Sequence, residues 1–242
     1  MELSFLTYNI HKGIGNDNLY RLDRIIDVIR ESKADIICLQ EVDQFVPRSN
    51  FEDTAQIIAE ALQMHYQLAL NVKLKHGNYG NATLSRYPIL DYKNINLTWG
   101  IKKKRGCLVT TMELPRGRMG VFNYHLGLAG FERIWQAKKL LSDHYLKENE
   151  HIPLIFLGDS NDRSHKLNPV FLKHGFHESA HGHRSYTFPS YAPIFRLDKI
   201  YFNGFFSLLN HEVIKNKLTK VTSDHYPVLT KFIVHEKNQR PL

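Results

Sequence analysis

The chain has only two cysteines, Cys38 and Cys107, and each lies inside an apolar run that reads as a strand. This argues against a disulfide framework or a cysteine-based metal centre and for two buried, reduced thiols. No apolar run approaches the roughly 20 residues needed to cross a bilayer as a helix. The opening residues, Met1-Glu2-Leu3-Ser4-Phe5, lack a basic stretch leading into a long apolar one. No secretory signal is therefore visible, and a cytoplasmic location is expected. Low-complexity tracts, Pro/Gly-rich linkers and internal repeats are also absent, which argues against solenoids and flexible tethers.

What the chain does have is material for a core. Of its 242 residues 43% are hydrophobic and 12% aromatic, enough for one sizeable packed interior, so the whole span 1–242 reads as a single domain. Charged residues make up 23%, a composition unlike that of a disordered chain. The net charge of +8 favours an anionic partner: nucleic acid, an acidic membrane face or a phosphorylated small molecule.

Helical periodicity is clearest in three stripes. Leu19, Leu22, Ile25, Ile26 and Ile29 form one, with Asn16-Asp17 as its expected cap. Ile57, Ile58, Ala61 and Leu62 form the second, starting near Asp53 or Thr54, and Ile134, Ala137, Leu141 and Tyr145 the third, after Gly130. Strands are expected near 3–9, 35–40, 66–70, 81–85, 91–97, 106–113, 118–125, 153–158, 198–203 and 228–234. Asn78-Tyr79-Gly80-Asn81, Pro115-Arg116-Gly117-Arg118 and Asn203-Gly204 read as turns. The first part alternates strand and helix, whereas the middle has consecutive strands with no room for crossover helices. A doubly wound parallel sheet needs such helices. The expected architecture is therefore α/β of the α+β kind: a four-layer sandwich, two mixed β-sheets packed face to face and flanked by helices.

Acidic, amide and imidazole side chains recur where these strands end. Asn9 follows Ser4–Tyr8, Glu41 follows Ile36–Gln40, and His125 follows Val121–Tyr124. Asp159 follows Leu154–Gly158 with Asn161 two residues on, while Asp198 and the pair Asp224-His225 stand just before late strands. Such groups can converge on one rim of a sheet, where α/β proteins keep their sites, and oxygen ligands of this type suit Mg2+. Each fragment also has a plainer reading. Glu41 alone is a surface acid; Asn9, His11 and Lys12 are a capped turn with solvated loop residues; Asp159 and Asn161 are an Asx-turn or helix cap. His125 alone is a hydrogen-bonded structural histidine. Ser223-Asp224-His225-Tyr226-Pro227 is the strongest single fragment, an acid beside a base just before the last strand; its plainer reading is a hairpin-like loop, since 14 histidines make a chance His beside an Asp unremarkable. His76, His144, His174, His177, His181 and His183 read as surface or loop residues. Lys102-Lys103-Lys104-Arg105 reads first as a solvated loop, and Phe205-Phe206 as core.

Taken together, the order Asn9, Glu41, Gly80-Asn81-Ala82 with Leu84-Ser85-Arg86, His125, Asp159-x-Asn161, Asp198 and Ser223-Asp224-His225 closely resembles the endonuclease/exonuclease/phosphatase superfamily. The resemblance runs from Leu3 to about Phe232. The blocks Asn-Ile-His-Lys-Gly, Leu-Gln-Glu-Val and Gly-Asn-Ala-Thr-Leu-Ser-Arg-Tyr-Pro-Ile look most like short single-domain bacterial members. It implies that Glu41 is the principal Mg2+ ligand, with Asn9 and Asp224 supporting the metal or phosphate and Mn2+ able to substitute. It implies that Asp159 and Asn161 position and activate the attacking water. It further implies that His225, oriented by Asp198, contacts the scissile phosphate in acid/base chemistry, and that His125 assists proton transfer to the leaving group. Two departures stand out. In the DNase branch a carboxylate partners the histidine at the His125 position, and the segment His76-Gly77-Asn78-Tyr79-Gly80 offers none. The block after Gly158 reads Asp-Ser-Asn-Asp, where many relatives have Asp-Leu-Asn.

The expected function is thus divalent-metal hydrolysis of phosphate esters by in-line attack of water, as a phosphodiesterase or nuclease. The alternative is a phospholipid head-group or phosphoinositide phosphodiesterase or phosphatase of the same family. A non-catalytic module on this fold ranks last, because none of the metal or base positions is eroded. The expected partner is a phosphorylated substrate, nucleic acid or lipid head group, acted on by a monomer with no obligate protein partner.

Overall fold

The computed structural model describes residues 1–180 and 185–235. In chain order its elements begin with β1 (Glu2–Asn9), α1 (Leu22–Ser32), β2 (Ile36–Gln44), α2 (Thr54–Leu62), β3 (His65–Lys73), β4 (Asn78–Ser85) and β5 (Ile89–Asn96). They continue with β6 (Gly106–Leu114), β7 (Gly117–His125), α3 (Gly130–Leu141), α4 (His144–Glu148) and β8 (Leu154–Asp159). The remainder is α5 (Asn168–Leu172), β9 (His177–Glu178), β10 (Asp198–Phe202), β11 (Phe206–Val213), α6 (Lys217–Thr222) and β12 (Val228–Val234). The strands form two six-stranded mixed sheets, ordered β11-β12-β1-β2-β4-β3 and β5-β6-β7-β8-β10-β9.

Strand β1 shows why four layers form. Leu3 and Phe5 point between the sheets, whereas Leu6 and Tyr8 point to the helices α1 and α2. Both faces must therefore be covered. The inter-sheet core joins Phe5 to Phe206 and Phe232, edge-to-face at 6.0 and 5.8 Å; each such contact contributes about 1 kcal/mol beyond area burial. A third core sets Phe122, Phe156 and Tyr201 of the second sheet against Ala137, Leu140 and Phe171.

Each sheet has one parallel pair, β1 with β2 and β7 with β8, joined through α1 and through α3 and α4. Buried amides clamp these two pairs together. Gln40 donates to Asn123 Oδ1 (2.9 Å), Asn123 donates to the Leu39 and Ala82 carbonyls (3.2 and 2.8 Å), and Asn81 donates to the Gly106 and Asn123 carbonyls. Polar groups buried between sheets persist only when satisfied in this way.

The structure departs from the sequence expectations in several places. Asn16 and Asp17 do not cap α1, which begins at Leu22. Asn16 instead donates to Ser190 Oγ and the Lys220 carbonyl (2.8 and 2.7 Å), and Asp17 pairs with Arg24. Asn78–Asn81 is strand rather than turn, because pairing on both sides with β2 and β3 overrides its turn-like composition. Tyr145 leaves the third stripe for α4, where its hydroxyl meets Thr111 Oγ1 at 2.6 Å. The edge strand β11 and the short helix α6 carry too little periodicity to be read in advance. Cys38 and Cys107 are buried free thiols, and Phe205 and Phe206 are core as expected. His76, His144, His174 and His177 are exposed; His181 and His183 lie outside the described residues. Among the described residues no helix is long and apolar enough to cross a membrane.

Candidate active site

Sheet register assembles most of the site. His125 lies opposite Asp159 across β7 and β8, and Asp159 lies opposite Asp198 across β8 and β10, so three strands present one row of functional side chains. Gly158 makes this row possible. Its φ is +151°, and a Cβ there would stand 1.9 Å from the Tyr124 carbonyl oxygen. From the other sheet, Asn9 Nδ2 donates to Asp159 Oδ2 at 3.0 Å. Ser223 Oγ donates to the Asn9 carbonyl at 2.7 Å and accepts from the His225 backbone N–H at 3.2 Å, which docks the last loop onto the end of β1.

His225 and Asp198 form a buried pair, Nδ1 to Oδ2 at 2.8 Å. The carboxylate accepts a hydrogen bond from Nδ1–H and leaves Nε2 turned toward Asp159. That Nε2 stands 3.7 Å from Asp159 Oδ2, and His125 Nε2 stands 3.4 Å from the same oxygen. Asp159 is therefore the carboxylate that His125 faces. Burial disfavours the His225 cation, but the Asp198 and Asp159 carboxylates outweigh it and raise the ring's pKa to about 10. Burial lifts Asp159 to about 6, held back by the His225 cation. His125 goes the other way: burial and the nearby Arg105 guanidinium push it well below the usual histidine range, so it is neutral at pH 7. One histidine is thus cationic and the other neutral around a single carboxylate oxygen. The ring of Phe188 closes over His225, 4.8 Å between centroids.

Glu41 does not lie beyond the strand, as the sequence suggested, but within β2. It sits in a bulge between Gln40 and Val42 with φ +60°, an uncommon conformation for glutamate. Gly80 pairs with Val42 beside the bulge, and a Cβ there would stand 1.8 Å from the Ala69 carbonyl oxygen. The bulge re-aims Glu41 off the sheet edge, where the Lys12 ammonium meets its Oε2 at 2.6 Å. Lys12, read from sequence as a solvated loop residue, is held there by its own left-handed backbone, φ +63°. Burial works against the Glu41 charge, but the His125 ring when it is protonated, and the Lys12 ammonium, outweigh it and hold the carboxyl well below the usual range. Arg105 is buried beside His125 rather than solvated.

The remaining sequence candidates are placed less centrally. Asn161 (φ +51°) donates its backbone N–H to Asp159 Oδ1 at 2.9 Å, and its side-chain Nδ2 is committed to the Leu126 carbonyl at 3.0 Å. Asp224 is half-buried; its Oδ1 accepts from Ser223 Oγ at 3.4 Å, and its charge reaches the His225 ring. Asp162, adjacent in sequence, belongs to a separate buried network with Lys199 (3.1 Å) and the Leu167 backbone N–H (3.0 Å). Sequence reasoning missed Lys12, Arg105 and the Gln40–Asn123 clamp. The one signal available for the clamp was an amide inside each of two otherwise apolar strands.

The donor set fits a hard divalent cation. Glu41 is a buried carboxylate that already carries a cation, the Lys12 ammonium, and Asp198 Oδ1 is buried with no hydrogen-bond partner. The ligand atoms of Asp159, Asp198 and His225 also lie within 4.8 Å of one another. In that group, however, His225 Nδ1 and Asp198 Oδ2 are already bonded to each other and the ring is cationic, so Glu41 is the better-suited metal ligand.

Residues 6–225 match the endonuclease/exonuclease/phosphatase family. The chain belongs to this family of phosphoester hydrolases, whose members generally use divalent metals. It is 35% identical over 211 residues to the uncharacterized protein YbhP of Escherichia coli K12, covering 81% of this chain and 83% of that protein. Its fold matches mannosyl-6-phosphatase Bt3783 of Bacteroides thetaiotaomicron at TM-score 0.76 and 20% identity, covering 96% of this chain and 99% of the other. The fold also matches D. rerio TDP2 solved with a single-strand DNA product, at TM-score 0.76, 19% identity and the same coverage. At those identities the two structures share a fold with this chain.

Proposed function

We propose that the chain is a divalent-metal-dependent phosphodiesterase, using Mg2+ with Mn2+ as a substitute, that hydrolyses its substrate by in-line attack of water. The observation that carries this reading is the surroundings of Asp159 Oδ2: the Asn9 amide at 3.0 Å and the His125 and His225 rings at 3.4 and 3.7 Å. An oxygen so placed can take a proton from water while two imidazoles flank the phosphate.

In this reading Asp159 is the base, oriented by the Asn9 amide and the Asn161 backbone. His225, kept cationic by Asp198, donates to a phosphate oxygen through Nε2 and offsets charge on it. His125, neutral at rest, assists by relaying a proton: it accepts one from Asp159 at one ring nitrogen as it gives one to the leaving group from the other. Glu41 would hold the metal, with Asn9 and Asp224 in support. When bound, the cation supplies further neutralisation of the phosphate oxygens. Residues 1–242 act as one catalytic domain and a monomer. The substrate is nucleic acid or a lipid head group. The fold is shared by a sugar phosphatase and by TDP2 solved with a DNA product, so it supports a phosphate ester without choosing among them.

The test is turnover of bis(p-nitrophenyl) phosphate. Mg2+-dependent hydrolysis that disappears with EDTA and in His225→Ala, with circular dichroism unchanged, is expected. Full activity in His225→Ala would remove its assigned role.

A further inference from the structure

The loop 97–105, between β5 and β6, carries a protruding apolar tip. Ile101 is fully exposed (107%), and it is joined by Trp99 (36%) and, from the segment after β7, by Leu128 (74%) and Phe131 (61%). These form one surface: Trp99 packs edge-on against Phe131 at 5.9 Å and Trp135 at 4.8 Å. Lysines frame it, with Lys102 Nζ 5.2 Å over the Phe131 ring and Lys139 Nζ 5.1 Å over the Trp135 ring.

The surface borders the catalytic row. Gly106, which ends the loop, is the cross-strand partner of His125, and the segment bearing Leu128 leaves β7 directly after His125. Exposed aliphatic and aromatic side chains ringed by lysine are the composition of an interfacial anchor, in which the apolar tip enters the acyl boundary and the ammoniums meet anionic head groups. A nucleic-acid platform would instead need open ring faces for stacking. Here the Phe131 and Trp135 faces are taken by lysine, and the outermost group, Ile101, has no ring to stack.

We propose that this surface docks the protein onto an anionic lipid bilayer and places the catalytic row at the head-group level. The docking itself stands on the surface geometry; that a lipid phosphate is the substrate rests on the phosphoesterase reading above.

The chain's two tryptophans, Trp99 and Trp135, both lie in this surface, so tryptophan emission, excited beyond the tyrosine band, reports on it alone. Vesicles of phosphatidylcholine, and of equal parts phosphatidylcholine and phosphatidylglycerol, are titrated into the protein, with flotation in parallel. The mixed vesicles are expected to shift emission to the blue and to float the protein, with binding weakened by salt. Ile101→Asp and, separately, Leu128→Asp are each expected to weaken binding roughly tenfold or more, the scale of losing one buried aliphatic side chain. Absence of a shift and of flotation with the mixed vesicles overturns the proposal. So does undiminished binding by both variants, or emission that responds to a single-stranded oligonucleotide and not to vesicles. Turnover of soluble bis(p-nitrophenyl) phosphate by the wild-type protein without vesicles tests the phosphoesterase reading separately.

Discussion

The two parallel strand pairs deliver carboxylates to the same pocket in different ways. On the β1–β2 side, Glu41 stands on a strained bulge and is neutralised by the flexible ammonium of Lys12. On the β7–β8 side, Asp159 stays in strand register with His125 and is met as well by the Asn9 amide from the other sheet and by His225 from the docked last loop. A lysine on a long stem can give way to another cation, whereas imidazoles held by register (His125) and by a buried carboxylate (His225) keep their positions. The first side is thus suited to exchanging a charge, and the second to moving a proton. The topology is shared; residue type and local backbone separate the roles.

This contrast can be broken from either side. The largest effect is expected from Asp159→Asn, which keeps the Asn9 contact but removes the base: kcat on bis(p-nitrophenyl) phosphate should fall by about three orders of magnitude. A loss below tenfold would place the base elsewhere. Glu41→Gln should lower turnover by about two orders of magnitude at low Mg2+ and recover partly as Mg2+ rises. An unchanged Mg2+ dependence would disconnect Glu41 from the metal. Asn123→Ala tests whether the two sides depend on one clamp. It removes one of three acceptors of the buried Gln40 amide and the donor shared by the Leu39 and Ala82 carbonyls, and denaturant unfolding should show a loss of about 2–3 kcal/mol.

Two smaller effects sharpen the comparison. In the wild type His225 is protonated through neutral pH and loses its proton near 10. Asp198 is the stronger of the two carboxylates that raise it, so Asp198→Asn should let the ring deprotonate at lower pH. The alkaline fall in kcat should therefore move toward neutrality, and the variant's deficit should grow as pH rises. A deficit constant with pH would limit Asp198 to positioning. Lys12→Met removes the ammonium that shares Glu41, so half-saturating Mg2+ should drop a few-fold, read by calorimetry as well as by rate. Weaker Mg2+ binding would mean that Lys12 shapes the site rather than competing for it.

Much of this was legible in the chain. The apolar run Leu3–Tyr8 announced a buried strand, and consecutive strands after residue 65 announced two sheets rather than one. The strand-end positions of Asn9, His125, Asp159 and Asp198 marked residues that the register then aligned. Glu41 was legible as a candidate, but its bulge was not, because a bulge is defined by the partner strand. Lys12 and Arg105 looked like solvent-facing cations, since a basic residue in a loop gives no sign of the carboxylate or imidazole that burial will set beside it. The Asn16-Asp17 cap failed for a related reason: Asn16 found partners near residues 190 and 220, far along the chain.

Residue order alone determined most of the strands and the kinds of functional group at their ends, because apolar patterning and composition are local properties. Only the folded molecule decided which histidine is charged and which neutral, which cation rests on Glu41, and that Trp99 and Ile101 border the catalytic row. Those outcomes depend on distances between segments remote in the chain, and electrostatics and burial act through space.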